Sequence, residues 1–292
     1  MTGLKYGVVY HTGFFGIAPE QVTAVARHAE ECGFESFFTT EHIALYPGVT
    51  LGRMPIAPDT PIADPLEVLS FVAGVTERII LGTAVLLLPY HPPVVLAKRL
   101  TTIDQLSRGR MRLFSVGVGV LPKEAEAAGV DFHTRGRRAD EAIDVLRLLW
   151  AGDADGVSFH GEFHSFDSLC VYPKPYQAST LPIHVGGSSP AAARRAGLRG
   201  DGFFPGGMSA ADRDTQLGIM RQTARDAGRD PDALEYTRWG SITMSPEEAA
   251  DLAAEGVTRV VVSPTTADLA GQRDELSAFA KRHGLGLGAR LA

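Results

Sequence analysis

The amino-acid sequence predicts a soluble α/β protein that forms one closed (β/α)8 TIM barrel across residues 1–292. Short runs of β-branched or aromatic residues alternate with longer segments of helical period, and this alternation repeats eight times. No linker rich in glycine, serine or proline divides the chain. Strict alternation requires parallel strands with right-handed crossovers. Eight repeats of similar size favour closure over the alternative, an open doubly wound sheet.

Each predicted strand is a short run of β-branched or aromatic residues with glycine, proline or polar residues at its ends. The eight strands are predicted at 4–10, 34–40, 79–87, 111–118, 183–186, 202–205, 235–242 and 259–263. Each predicted helix has apolar residues every three or four positions. The eight helices are predicted at 19–33, 66–72, 93–106, 136–150, 190–198, 209–227, 246–255 and 274–283.

Two segments depart from the regular alternation. The polar and aromatic stretch 159–176 fits no helix and is predicted to form a hairpin-like insertion between the fourth helix and the fifth strand. The loop 44–64 is rich in proline and glycine and is long for a barrel. Because long loops that follow strands lie on the catalytic face, loop 44–64 is a candidate for substrate recognition. A mobile surface loop is the alternative.

Composition and charge exclude several classes of protein. The net charge of −6 and the lack of a dense basic tract argue against a nucleic-acid partner. The longest apolar run, 79–88, is about half as long as a membrane span. The first ten residues lack the pattern of a signal peptide, so a cytoplasmic protein is expected. Cys32 and Cys170 are interpreted as reduced, partly buried thiols.

A histidine falls at the predicted catalytic rim, in the sequence Thr39-Thr40-Glu41-His42 at the end of strand two. A histidine in this position can donate or accept a proton, although a rim histidine that only bonds to its neighbours is the alternative. His11 and His184 could meet His42 at the rim. Without a matching set of acidic ligands, no metal site is predicted.

Two glycine-bearing strand ends point to a ligand. The run Gly117-Val118-Gly119 resembles the start of a dinucleotide fingerprint, but Pro122 replaces the third glycine and a loop is expected instead of an immediate helix. What remains is a strand end over which a flat ring could lie. The run Gly186-Gly187-Ser188-Ser189 precedes Pro190 and opens a helix. Free N–H groups at such a turn bind anions, so it is predicted to hold a phosphate, with a plain capped helix as the alternative.

With these motifs in place, the chain resembles the luciferase-like monooxygenase superfamily, and within it the actinobacterial group usually described as dependent on coenzyme F420. The resemblance covers nearly the whole chain. Four stretches are more specific than any single glycine motif. They are RIILGT at 78–83, DFHTRGRR at 131–138, FHGEF at 159–163 and IHVGGS at 183–188.

The resemblance implies a role for each candidate residue. The ring of a flavin or deazaflavin would lie near Thr40, His42, Thr83, Ala84 and Gly117-Val118-Gly119, with its phosphate on Gly186-Gly187-Ser188-Ser189. A non-proline cis peptide would fall near Thr83-Ala84, and a homodimer is implied. Val120 stands where relatives have an aromatic residue or a glutamate, so proton transfer is assigned to His42, or else to Glu41 or the substrate itself.

The implied reaction depends on the cofactor. With F420 the protein would be an oxidoreductase that transfers a hydride to or from a small organic substrate, and Arg135, Arg137 and Arg138 are candidates to bind the anionic tail. With FMN it would be a monooxygenase that inserts oxygen. A flavin-free isomerase or lyase for a sugar phosphate and a non-catalytic cofactor-binding paralogue are further alternatives. The substrate cannot be inferred from the sequence.

Overall fold

The structure is a computed structural model that describes residues 3–52, 54–207 and 209–286. Eight parallel strands form the central sheet, and each pairs with the next in chain order. The pairings β8–β1 and β4–β5 close this sheet into a cylinder, which confirms the barrel and excludes the open sheet. The strands are β1 (Lys5–Tyr10), β2 (Ser36–Thr39), β3 (Ile80–Thr83), β4 (Met111–Gly117), β5 (Ile183–Gly186), β6 (Gly202–Phe204), β7 (Glu235–Trp239) and β8 (Arg259–Val262).

One long helix follows each strand and packs on the outside of the cylinder. These helices are α1 (Pro19–Glu31), α2 (Pro65–Val75), α3 (Pro93–Leu106), α4 (Arg135–Ala151), α5 (Pro190–Arg199), α6 (Ala210–Asp226), α7 (Pro246–Ala254) and α8 (Leu269–Arg282). Five of them begin with proline, which suits a first helical turn because the missing N–H has no partner there. Helix α8 starts earlier than the predicted 274, because Asp268 accepts a hydrogen bond from Gly271 N and caps it.

Three local features of the barrel differ from the prediction. Strand β3 is not continuous over 79–87; it resumes as Leu86–Leu87, which pairs with β4. The Ala84–Val85 peptide between the two parts is cis, one residue beyond the expected Thr83-Ala84. The expected loop after Gly119 is wrong, because a short helix, Pro122–Ala127, lies there. A second short helix, Thr12–Phe15, follows β1.

The insertion before β5 is confirmed as a two-stranded antiparallel hairpin, Val157–His160 with Ser165–Leu169. Both cysteines are free; Cys32 is half-buried, whereas Cys170 is exposed rather than partly buried. In the described part of the chain, no helix is both long enough and apolar enough to cross a membrane.

Aromatic side chains fill the middle of the barrel. Phe38, Phe114 and Phe204 pack together there with small residues of the surrounding strands. Gly82 makes room for two of these rings, because a Cβ at this position would lie 2.8 Å from the ring of Phe114 and 3.0 Å from that of Phe38. The interior is therefore a packed core, and only the carboxyl ends of the strands are left to bind a ligand.

Buried charges close the opposite, amino-terminal end of the barrel. Arg259 is 1% exposed and donates hydrogen bonds to Glu35 at 2.7 and 2.9 Å and to Glu235 at 2.7 Å. Its guanidinium also lies over the Phe114 ring, 4.0 Å from the centroid. His184 lies in the same layer, with Nε2 3.7 Å from a Glu235 oxygen. We name these four residues, Arg259, Glu35, Glu235 and His184, the barrel floor.

The barrel floor predicts a specific pH dependence of stability. Burial, and secondly the charge of Arg259, lowers the pKa of His184 from 6.5 to about 4. Between these values the folded protein binds fewer protons at His184 than the unfolded chain, so the free energy of unfolding should fall as the pH drops below 6.5. Urea unfolding between pH 7 and 5 should show that the free energy of unfolding decreases as the pH drops, and His184→Gln should reduce this dependence. His160→Gln, on the exposed hairpin, is the control; an equal slope in all three proteins contradicts the prediction.

Candidate active site

His42 is held at the barrel rim by a buried carboxylate. After β2 the chain runs through Thr40, which is half-buried, into Glu41 and His42. The His42 side chain is 15% exposed, and its Nδ1 lies 3.2 Å from both carboxylate oxygens of Glu124, which has no exposed side-chain surface. Nε2 of His42 has no hydrogen-bond partner among the described residues. It is therefore the nitrogen that a ligand can use.

Glu41 occupies a different environment from its neighbour. Its side chain is almost fully buried, and one oxygen accepts a hydrogen bond from Leu87 N at 2.5 Å. The other oxygen lies 2.9 Å from His91 Nε2. Both oxygens therefore connect the end of β2 to Leu87 and His91, and this arrangement suits a role in positioning.

The interrupted strand β3 brings the next candidates together. The Thr83 hydroxyl is fully buried and donates to Ser115 O at 3.1 Å, so it joins β3 to β4. Ala84 is 6% exposed and belongs to the aromatic interior of the barrel. Val85 follows the cis peptide and lies against Gly117 and Gly186, the last residues of β4 and β5. The ends of three strands therefore approach one another closely at this point.

The end of β4 combines close backbone packing with a hydrogen-bond donor. Val118 is half-buried, and Gly119 has a φ of +79°, where a Cβ would overlap the hydroxyl of Tyr90. This hydroxyl is buried and has no hydrogen-bond partner among the described residues. Burial, and secondly the charge of Glu124, raises the pKa of Tyr90 to about 12, so the hydroxyl keeps its proton. An unpartnered buried donor at a strand end suits the polar edge of a ligand.

The turn after β5 has the geometry of an anion site. Gly187 has a φ of +105°, which favours glycine, and Gly187, Ser188 and Ser189 are all exposed. Ser189 caps α5 by accepting a hydrogen bond from Ala192 N at 3.2 Å. Gln216 of α6 donates to Ser188 O at 3.2 Å and holds the turn from behind. The positive end of α5 therefore faces solvent at the rim.

The three arginines proposed for an anionic tail separate into two groups. Arg135 donates to Gly119 O at 3.2 Å and lies over the Phe132 ring, so it is at the β4 rim. Arg137 and Arg138 instead lie against Phe163 of the hairpin insertion, with centroid distances of 5.4 and 4.4 Å. The nearby carboxylates Asp140 and Glu141 bond elsewhere: Asp140 pairs with Arg195 at 2.6 Å, and Glu141 accepts the backbone N–H groups of 162–164.

Exposed apolar side chains surround the barrel mouth. They lie in the loops that follow β1, β2 and β4 and at the end of β7; they are Phe14, Ile43, Met54, Val120 and Trp239. Trp239 also contacts Phe204, with ring centroids 4.7 Å apart, which connects the mouth to the aromatic interior. Apolar lining with a few convergent polar groups is typical of a small-molecule site.

The histidines do not form a common metal site. His184 lies in the barrel floor rather than at the rim, so the prediction that it could meet His11 and His42 is wrong. Across 3–52, 54–207 and 209–286, no group of three or more histidine, cysteine, aspartate or glutamate side chains has an arrangement that would hold a metal ion.

One residue of the site, Glu124, was missed from the sequence. One signal for Glu124 exists, because Pro122 followed by acidic residues at 124 and 126 is typical of a first helical turn. No local pattern shows that its carboxylate faces His42, 82 positions away. Tyr90 could be singled out only as an aromatic residue near a strand end.

Comparison with known proteins identifies the family of the chain. Residues 5–288 match the model of a family described as luciferase-like monooxygenase. An uncharacterised protein of Mycobacterium tuberculosis (strain ATCC 25618 / H37Rv) is 32% identical over 247 residues, covering 82% of this chain and 83% of that protein. The F420-dependent glucose-6-phosphate dehydrogenase of Nakamurella multipartita is 30% identical over 272 residues, covering 85% of this chain and 75% of that enzyme. The structure of an F420-dependent secondary alcohol dehydrogenase with an F420-acetone adduct shares the fold, with a TM-score of 0.78 at 17% identity and coverage of 96% and 98%.

Proposed function

Because the chain belongs to the luciferase-like monooxygenase family, we propose that it is an F420-dependent oxidoreductase that transfers a hydride between the deazaflavin and a small organic substrate. The observation that best supports this proposal is the placement of His42 on the same rim as the unpartnered Tyr90 hydroxyl and the exposed turn at the start of α5. The same resemblance leads us to propose a cytoplasmic homodimer, which light scattering after size-exclusion chromatography would test.

The residues at the rim fit the cofactor in two parts. A flat ring would lie at the end of β4, where Gly117 and Gly119 carry no side chains and the Tyr90 hydroxyl is an unpartnered donor. The turn Gly186-Gly187-Ser188-Ser189 would bind the phosphate through its N–H groups and the positive end of α5. Arg135, between the β4 rim and α5, would attract further negative charge of the tail.

When bound, the deazaflavin supplies or accepts a hydride. Side chains of the protein supply proton transfer, positioning and the exclusion of water. His42 Nε2 takes the hydroxyl proton of a substrate that is being oxidised, or returns it to a carbonyl that is being reduced. Glu41 and Thr83 hold the strand ends in place, and the apolar mouth keeps water away from the reacting carbon.

A monooxygenase that uses FMN is the second candidate, because the matching family model is described as luciferase-like monooxygenase. FMN has a single phosphate, which the turn after β5 satisfies without Arg135. The F420 proposal therefore assigns a role to Arg135 that the FMN alternative does not require, and measurements of cofactor binding distinguish the two.

Equilibrium binding of the purified protein to oxidised F420 and, separately, to FMN tests the proposal, with tryptophan fluorescence as the signal. We expect micromolar affinity for F420 and much weaker binding of FMN. The reverse preference would favour the monooxygenase. Binding of neither would refute both and favour a flavin-free isomerase or lyase. Tight F420 binding without turnover of any alcohol or carbonyl compound in a broad panel would identify a non-catalytic paralogue.

The phosphate turn gives a second prediction. Gly187→Ala places a side chain at a φ of +105°, and its Cβ would lie 3.2 Å from Ala192 Cβ, so the turn must shift. We expect the Kd for F420 to rise by about 10-fold or more, which corresponds to about 1.4 kcal/mol of lost binding. The control is Gly228→Ala, which also places a side chain at a positive φ, +68°, but in open space beyond the far end of α6. Equal Kd values for the two variants would contradict this assignment of the phosphate.

A further inference from the structure

We infer that Glu124 is a positioning residue that fixes the tautomer of His42 and attaches it to the start of loop 44–64. This inference rests on the proposed function, because His42 moves a proton only if the substrate is oxidised or reduced. Neither the family resemblance nor the candidate residues found in the sequence assign a role to Glu124. Its contacts carry the argument.

The two carboxylate oxygens of Glu124 share His42 Nδ1 at 3.2 Å but differ in their other partners. Oε1 also accepts hydrogen bonds from Ile43 N at 2.6 Å and Ala44 N at 3.3 Å, whereas Oε2 has no partner besides His42 among the described residues. A carboxylate has no proton to give, so Nδ1 must carry the hydrogen of the pair. Neutral His42 is therefore held with a lone pair on Nε2, which is the form that can accept a substrate proton.

The same carboxylate also stabilises the protonated form of His42. When Nε2 has taken a proton, the imidazolium lies against a buried negative charge, and Nε2–H points away from Glu124. Glu124 thus serves both directions of the proposed reaction. The Glu124 carboxylate also accepts hydrogen bonds from Ile43 N and Ala44 N at the start of loop 44–64, so it holds the loop in a fixed position relative to the imidazole.

Glu124→Gln tests this role because the substitution keeps size and shape. The amide oxygen should stay on Ile43 N and Ala44 N, which leaves the NH2 group facing His42 Nδ1. A donor in that place favours the opposite tautomer, with hydrogen on Nε2. Glu126→Gln is the matched control, since Glu126 is exposed on the same short helix, Pro122–Ala127.

The first measurement is a long-range 1H–15N NMR spectrum of the cofactor-free protein, with the His42 signals assigned by their loss in His42→Ala. We expect Nδ1–H in the wild type and in Glu126→Gln, and Nε2–H in Glu124→Gln. A wild-type Nε2–H form, or no change in Glu124→Gln, would overturn the inference, whatever cofactor the protein binds. Failure of the proposed function would appear separately, as a lack of F420 binding.

Kinetics with F420 and the alcohol or carbonyl compound turned over fastest in the panel provide the second measurement. Partners that orient a functional imidazole are typically worth about 10–100-fold, so kcat should fall by that factor in Glu124→Gln. KM should change little, because the Glu124 side chain has no exposed surface for a substrate to contact. A loss confined to KM, or a kcat equal to that of Glu126→Gln, would refute the positioning role.

Discussion

Replacing His42 with alanine is expected to lower kcat by about 10²–10⁴-fold, the range for the loss of a general acid or base. His42 Nε2 has no hydrogen-bond partner among the described residues, whereas His91, the other imidazole beside a buried carboxylate, uses its Nε2 on Glu41. The Kd for F420 should rise by less than about 10-fold, because at most one hydrogen bond, worth about 1 kcal/mol, is lost. Steady-state kinetics and fluorescence titration of the same variant measure the two quantities.

His160→Ala is the control for His42→Ala, since His160 lies on the exposed hairpin away from the barrel mouth. It should retain full kcat. Added imidazole should restore part of the activity of His42→Ala and leave the control unchanged. If His42→Ala keeps a kcat within about 3-fold of the wild type, a difference of under 1 kcal/mol in the barrier, His42 does not move the proton.

Arg259→Met should lower the free energy of unfolding by about 3–5 kcal/mol, the cost of removing one partner from a buried ion pair. Arg259 is 1% exposed and is the common partner of Glu35 and Glu235, so its loss leaves two carboxylates without their cation. Lys5 remains beside Glu235, but no described cation bonds directly to the side chain of Glu35 once Arg259 is gone. Urea unfolding at pH 7 measures the difference.

Arg137→Met is the matched control, because Arg137 and its partner Glu162 are both exposed and such pairs contribute about 0–1 kcal/mol. The double variant Arg259→Met with Glu35→Gln should recover part of the lost stability, since one unpaired carboxylate is removed. If Arg259→Met and Arg137→Met unfold at the same urea concentration, the barrel floor does not stabilise the fold as described.

The sequence predicted those parts of the molecule that local patterns determine. Strand β5 was located at its observed bounds, 183–186, because an apolar run ends there at a glycine turn. The position of His42 at the rim follows from its place at the end of a strand. Helix α8 was placed too late because its first residues, Leu269 to Gln272, include only one large apolar side chain.

Contacts between distant residues could not be predicted in this way. The partners of Arg259 lie 24 and 224 positions away, and nothing in the local sequence distinguishes this arginine from an exposed one. The same limit applies to Glu124, since its bond to His42 depends on how β2 and the short helix after β4 meet in space. The spacing of apolar residues indicates on which side of a helix or strand a residue lies. It does not identify the residues that its side chain contacts.

The barrel floor and the rim lie at opposite ends of the same strands, and this separation bears on how the protein can evolve. Buried ion pairs anchor the amino-terminal end, whereas loops with exposed Ile43, Met54 and Val120 surround the other. Mutations that change the choice of substrate can accumulate in those loops while the stabilising contacts at the far end persist. Lineages that share this floor can therefore diverge in activity, and loop exchange between relatives is a practical route to new specificities.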